Sequence, residues 1–130
     1  VAMLDVDHFK QINDTWGHST GDEVLRHIAA ILTESTRASD YVFRYGGEEF
    51  MIVYLEFTRH QTLSFVDAIR HKIASSPYVT AEGEKVALSA SFGVSHYRGH
   101  PDYQKMVDEA DKALYDAKNG GRNRVVEFSD

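Results

Sequence analysis

Four carboxylates lie where short apolar runs end. Asp5 and Asp7 close the run Val1-Ala2-Met3-Leu4, and Glu48 and Glu49 follow Gly46-Gly47. If the hairpin strand lies beside the first strand, Asp5, Glu48 and Glu49 meet at one edge, and with no cysteine in the chain such hard oxygen donors select Mg2+ or Mn2+. Mg2+ is commonly held by one or two carboxylates, and substrate phosphates and water complete its octahedron. Glu48 and Glu49 are neighbours, so in an extended chain they point to opposite sides. One can then hold a metal while the other works on a substrate. The adjacent glycines leave room for a phosphate or a flat ligand to approach the backbone. Such a set suits phosphoryl or nucleotidyl transfer aided by one or two metal ions. An ordinary surface hairpin with solvated glutamates has the same local sequence.

Cations and base-reading groups lie within reach in sequence. Lys10 follows the first aspartates, and Lys118 and Arg122 stand four apart near the C-terminus. On one helix these two would share a face and could neutralise phosphate charge. Asn13 and Asp22 offer an amide and a carboxylate, which together can pair with the edge of a guanine. Asp22 is equally a favourable anion for the first turn of a helix. The seven histidines show no metal-ligand spacing, and no Gly-x-Ser-x-Gly elbow is present.

These residues need elements to hold them. The near-continuous apolar run before Asp5 predicts a strand buried on both faces, hence central in its sheet. His8 to Gly21 reads as a short helical turn and a loop. Thr20 and Glu23 form a capping-box pattern for a helix from about Gly21 to Thr36, with Val24, Leu25, Ile28, Ile31 and Leu32 as its buried stripe. Tyr41-Val42-Phe43 and Phe50-Met51-Ile52-Val53-Tyr54 flank Gly-Gly as a hairpin, with positive φ expected at both glycines. Thr58 and Gln61 make a second capping pair for a helix carrying Leu63, Val66, Ile69 and Ile73, which stops before Pro77. After a turn at Ala81-Glu82-Gly83-Glu84, alternation from Val86 to Ser95 predicts one further strand. Asp102 is a plausible N-cap for a third helix with Met106, Val107, Ala110, Leu114 and Ala117, ended by Gly120-Gly121. Val125 to Phe128 is a last short strand. The order β-α-β-β-α-β, then α-β, is an α+β, ferredoxin-like palm with a mainly antiparallel sheet flanked by helices.

Size and charge bound the rest. The 130 residues make about one domain, and 42% hydrophobic with 26% charged residues is ordinary for a globular chain. A net charge of −6, from 14 basic and 20 acidic residues, argues against a general nucleic-acid binder and suits a cation-requiring site. No apolar run is long enough to span a membrane. The chain opens at Val1 inside a predicted strand, as expected for a piece of a longer protein.

Taken together, the motifs resemble the GGDEF family of diguanylate cyclase catalytic domains. The resemblance is carried by Asp5-Val6-Asp7-His8-Phe9-Lys10, Asn13-Asp14-Thr15-Trp16-Gly17-His18, Gly21-Asp22, Arg37-Ala38-Ser39-Asp40 and Gly46-Gly47-Glu48-Glu49-Phe50. It closes with Ala110-Asp111-Lys112-Ala113-Leu114-Tyr115-Asp116-Ala117-Lys118 and Gly121-Arg122-Asn123. Each segment is weak alone; in this order and spacing the set is highly specific.

The resemblance implies a nucleotidyl-cyclase-like domain over residues 1–130, without the Asp-x-Leu-Thr-Gly-Leu-x-Asn-Arg segment that the family places before the first strand. It implies condensation of two GTP into cyclic di-GMP (c-di-GMP) with release of pyrophosphate. The working form would be an antiparallel homodimer with one GTP per protomer. By the same resemblance, Asp5 and Glu48 match side-chain metal ligands, and Val6 matches a backbone-carbonyl ligand, for Mg2+ or Mn2+. Glu49 matches the acceptor of the 3′-hydroxyl proton, and Lys10 a transition-state-stabilising lysine. Asn13 and Asp22 match guanine readers, His18 a further substrate contact, and Lys118 and Arg122 the basic pair on the triphosphate. Arg37 and Asp40 match the site at which c-di-GMP inhibits. Some such sites add an arginine from the next helix; that position here is Ala68, with Arg70 close by. A sensory or dimerisation domain is expected upstream. GTP as substrate places this domain in the cytoplasm, whether or not the full protein is anchored in a membrane. A binding-only module would be marked by loss of Asp5, Lys10 or Glu49, and all three are present. An adenylyl-cyclase-like or polymerase-palm enzyme using another nucleotide is the third reading, and Asn13 with Asp22 favours guanine over it.

Overall fold

The computed structural model of the chain describes residues 1–129. Strand β1 (Ala2–Val6) is buried along its whole length, which its uninterrupted apolar run requires. Helices α1 (Phe9–Trp16) and α2 (His18–Ser35) follow, then the hairpin β2 (Tyr41–Arg44) and β3 (Glu49–Val53). Helix α3 (Arg59–Ala74) leads to a two-stranded ribbon, β4 (Tyr78–Val79) and β5 (Lys85–Val86), and on to β6 (Ala90–Val94). Helix α4 (Tyr103–Asn119) and β7 (Val125–Glu127) complete the chain. The main sheet runs β2-β3-β1-β6-β7 and is antiparallel except for the β6–β7 pair. Elements β1-α2-β2-β3-α3-β6 form the expected ferredoxin-like arrangement, with β1 at its centre. Among the described residues, no helix is long and apolar enough to cross a membrane.

The period of two along each strand divides the sheet into two unlike faces. Ala2, Leu4, Val6, Phe50, Ile52, Ala90, Phe92 and Val94 meet the stripes of α2 (Val24, Ile28, Leu32) and α3 (Val66, Ile69, Ile73) in the main core. The opposite face carries Val1, Met3 and Met51 against Ala110 and Leu114 of α4. Asp5, Glu49 and Ser91 lie on this second face by the same alternation. Helix α4 lies flat on β6 because Gly93 has no side chain: a Cβ there would sit 2.1 Å from the Ala110 carbonyl oxygen and 2.2 Å from the Leu114 nitrogen.

Two caps form as the sequence predicts. Thr58 and Gln61 exchange side-chain and backbone bonds at the start of α3 (3.1 and 3.0 Å), and Asp102 Oδ1 accepts the Gln104 N–H (3.0 Å). Elsewhere the structure corrects the reading. The stretch that reads as a short helical turn and a loop is a longer helix, α1 over Phe9–Trp16, and α2 begins at His18 rather than Gly21. Gly17, at φ 92°, makes the reversal between them, so Thr20 is inside a helix and caps nothing. Asp22 therefore lies beyond the first turn of α2. Gly46 and Gly47 do not adopt positive φ. The Tyr45 N–H bonds the Glu49 carbonyl (2.9 Å), so the turn is wider and includes Glu48. The single strand predicted from Val86 to Ser95 is two strands: β5 pairs with β4 outside the main sheet, and β6 begins at Ala90. Helix α4 stops at Asn119, so Lys118 and Arg122 do not share a helix face.

Candidate functional site

The C-terminal end of β1 and the β2–β3 turn meet at one edge of the sheet. Asp5 stands directly opposite Glu49 on β3 and opposite Ser91 on β6. The Val6 N–H donates to the Glu48 carbonyl (3.2 Å), which draws the turn against the end of β1. Gly46 packs beside Glu49, with Oε2 3.5 Å from where a Cβ would stand. Lys118 reaches across from the last turn of α4 and donates to Asp5 Oδ2 (2.8 Å). Burial pushes the Glu49 carboxyl above its ordinary range, and the charges of Asp5, Asp111 and Glu48 push the same way against Lys118. The edge thus holds more negative charge than its own lysine offsets.

That imbalance suits a hard cation. Among the described residues, no three His, Cys, Asp or Glu side chains form a closed metal cage. Asp5 and Glu48 are hard oxygen donors on adjoining segments, with the Val6 backbone beside them. A set this small fits an ion that takes its other ligands from phosphate and water, as Mg2+ does.

The other predicted residues surround this edge unequally. Lys10 is exposed in the first turn of α1. Asn13 lies on α1 and packs over Gly21 of α2, where a Cβ would come within 1.9 Å of Asn13 Oδ1. That Oδ1 is buried and has no hydrogen-bond partner, an acceptor awaiting a donor. His18 and Asp22 are exposed on the first two turns of α2. Arg122 is exposed in the loop after α4 at φ 64°.

Asp7 is not beside Asp5 in role. Its Oδ1 accepts from Ser91 Oγ (2.6 Å), and its Oδ2 accepts from Ser89 Oγ (2.6 Å) and the Asn123 N–H (3.0 Å). Three further residues have roles that the sequence does not assign. Gly21 vacates the space that Asn13 fills, and Gly93 admits α4. Arg44 donates to the Gly47 carbonyl (2.7 Å) and so holds the turn. The signal for Arg44 is its place at the head of the Arg-Tyr-Gly-Gly stretch. Gly21 and Gly93 lie within regular elements, where glycine's cost itself marks a close approach.

Arg37 and Asp40 form a closed clamp at the far end of the hairpin. Arg37 Nε and Nη2 bond Asp40 Oδ2 and Oδ1 (3.1 and 2.7 Å), and the Arg37 N–H also reaches Oδ2 (2.8 Å). Nη2 donates again to the Leu55 carbonyl (2.6 Å), and the guanidinium lies 3.6 Å over the Phe57 ring. Burial alone would raise the Asp40 carboxyl, but the bonds from Arg37 outweigh it and hold the group below the usual carboxylate range. Arg70 does not join them: its guanidinium bonds Asp67 (2.7 Å) and Asn123 Oδ1 (3.1 Å).

A carboxylate edge on a ferredoxin-like sheet, with basic groups on the neighbouring helix and loop, defines a nucleotidyl-cyclase-like palm. The chain belongs to the GGDEF family: the family model described as "Diguanylate cyclase, GGDEF domain" matches residues 1–124. It is 50% identical over 125 residues to diguanylate cyclase DosC of Escherichia coli K12, covering 96% of this chain and 27% of that protein. It is 41% identical over 126 residues to the response regulator PleD of Caulobacter vibrioides, covering 95% of this chain and 28% of PleD. It therefore spans under a third of the length of these curated relatives. The GGDEF domain of DgcB from Caulobacter crescentus, solved in complex with c-di-GMP, superposes with a TM-score of 0.93 at 35% identity, over 98% of this chain and 75% of that one. Diguanylate cyclase SiaD of Pseudomonas aeruginosa, solved with its activator SiaC, gives 0.92 at 38% identity, over 97% and 48%.

Proposed function

We propose that this domain, within its full protein, condenses two GTP molecules into c-di-GMP as an Mg2+-dependent diguanylate cyclase. The observation that carries the reading is the register of Asp5 against Glu49, with Glu48 beside them and Lys118 reaching into the same edge. Asp5, Glu48 and the Val6 carbonyl would hold the metal. When bound, Mg2+ would neutralise phosphate charge and acidify a nearby sugar hydroxyl.

The chain's own residues divide the remaining work. Glu49 accepts the proton of a 3′-hydroxyl. Burial already favours a proton on this carboxyl, which suits the task once a neighbouring cation keeps it ionised beforehand. The 3′-oxygen forms a bond to an α-phosphorus, and the bond from that phosphorus to the β-phosphate oxygen breaks, releasing pyrophosphate. Two such steps close the ring. Lys10, Lys118 and Arg122 stabilise charge on the phosphates as it spreads. Asn13 and Asp22 read the guanine edge and His18 adds a substrate contact. With one GTP per protomer, two protomers must face each other so that each hydroxyl meets the other nucleotide's α-phosphate; that juxtaposition supplies the orientation term. Product binding at Arg37 and Asp40 would restrain the enzyme; that a GGDEF domain of this fold binds c-di-GMP is supported by the DgcB complex.

The test follows c-di-GMP production from GTP and Mg2+ by the full protein and its Glu49→Gln form. Product from the parent, with turnover of the variant reduced by roughly a hundredfold or more, is expected. Equal turnover by both would remove Glu49 from its role. Binding of ATP in preference to GTP would overturn the substrate assignment.

A further inference from the structure

An aspartate two residues from a metal-binding aspartate reads as a second metal ligand. We infer instead that Asp7 is a positioning residue that fixes the loop carrying Arg122, and so acts on GTP binding through that arginine. The inference rests on the cyclase reading above. Both carboxylate oxygens of Asp7 are already engaged, by the hydroxyls of Ser89 and Ser91 and by the Asn123 N–H. The side chain is buried, at 5% exposure, and three donors already occupy its carboxylate, which commits Asp7 to this network.

The loop needs such an anchor. Gly121, Arg122 and Asn123 stand consecutively at φ 125°, 64° and 45°. Left-handed conformations cost non-glycine residues ~1–2 kcal/mol each and persist only where the surroundings dictate them. Bonds from the surroundings dictate them here, among them those from Arg70 Nη1 to Asn123 Oδ1 and from Arg124 Nε to the Arg122 carbonyl (3.1 Å each). The Arg122 N–H reaches the Ala117 carbonyl (3.0 Å), the Phe92 N–H reaches the Arg124 carbonyl (2.9 Å), and Asp7 accepts the Asn123 N–H between them. The bonds to the Ala117 and Arg124 carbonyls tie the ends of the turn to α4 and β6. Arg70 ties its middle to α3, and among the described residues only the Asp7 bond ties it to the end of β1, the strand that carries Asp5. Asp7 thereby sets the distance between the carboxylate edge and the phosphate-side arginine.

The test measures the dissociation constant of a non-hydrolysable GTP analogue with Mg2+ for the full protein, Asp7→Asn, Arg122→Ala and the double variant. Asp7→Asn is expected to weaken binding about tenfold, the loss of one charge-assisted bond. In the Arg122→Ala background the same change is expected to cost no more than about threefold, because residues acting as a unit are non-additive. Full additivity, or unchanged binding by Asp7→Asn, overturns the proposal. So does a raised Mg2+ requirement in Asp7→Asn like that of Asp5→Asn, which would make Asp7 a ligand. If Asp7→Asn does not fold, the Ser89→Ala/Ser91→Ala pair replaces it. That pair is expected to weaken binding in the parent and not beside Arg122→Ala, and unchanged binding in the parent overturns the inference. A parent that binds the analogue but makes no c-di-GMP refutes the cyclase reading alone, and the binding comparison still decides the role of Asp7. A parent that does not bind the analogue refutes both.

Discussion

The two ends of the β2–β3 hairpin pair a base with an acid in opposite ways. At the far end, Arg37 and Asp40 satisfy each other through both carboxylate oxygens, with the Leu55 carbonyl and the Phe57 ring closing the guanidinium in. At the turn end, Lys118 makes one bond to Asp5 while Glu49, Glu48 and Asp111 crowd the same edge. The carboxyl shifts record the difference: Asp40 is held down and Glu49 is pushed up. A satisfied pair is structure first, and a ligand must use what the clamp leaves open. An unbalanced carboxylate edge suits a cation, which is the role proposed for it.

The sharpest way to break this comparison is to neutralise the unbalanced end. Asp5→Asn should cut c-di-GMP production by roughly a thousandfold while the fold holds, because it removes a proposed metal ligand from an edge with few others. Mg2+ titration of the variant at saturating GTP checks it, and near-parental turnover would show that the charge imbalance does no chemical work. Arg37→Ala attacks the satisfied end. It should lower the melting temperature, because Asp40 keeps a fully buried side chain without its partner. It should also raise the c-di-GMP concentration needed for half-inhibition by about tenfold, the loss of a charge-assisted phosphate contact from the Nη1 group that the clamp leaves open. A stability change without any change in inhibition would assign the clamp to structure alone.

Two smaller effects sharpen the picture. Gly21→Ala pushes a methyl group to within 1.9 Å of Asn13 Oδ1, so the amide must turn away. The KM for GTP should rise severalfold with kcat little changed, the signature of lost uniform binding. Equal losses in both would place Gly21 in the chemical step. The smallest effect concerns Glu49 in the metal-free protein. Its folded pKa lies above the unfolded one, so its contribution to stability is present at low pH and lost as pH rises through the folded value. Glu49→Gln should therefore raise the melting temperature slightly at neutral pH and leave it unchanged at pH well below the carboxylate range. Thermal scans in chelator at both pH values test the sign.

Much of this was legible in the chain itself. The run Val1 to Leu4 determined a central strand, since only burial on both faces tolerates unbroken apolar residues. The stripes of α2 and α3 and the capping pair at Thr58 and Gln61 followed from helical spacing. The sequence also marked Asp5, Glu48 and Glu49 as hard donors without a competing thiolate. Those are local facts, set by residue type and by period.

The tertiary structure decided what depends on partners far along the chain. That Asp7 serves Ser89, Ser91 and Asn123 could not be read from Asp-x-Asp, because its partners lie 82 to 116 residues away. That Gly17, rather than the Gly-Gly turn, takes the left-handed conformation depended on how α1 folds back along α2. That the turn takes no positive φ at either glycine, and that Arg44 donates to the Gly46 and Gly47 carbonyls, was set by how the hairpin packs. The physical reason is common to all three. Periodicity reports which side of an element is apolar, whereas a polar side chain's role depends on which donors and acceptors the packed sheet brings to it.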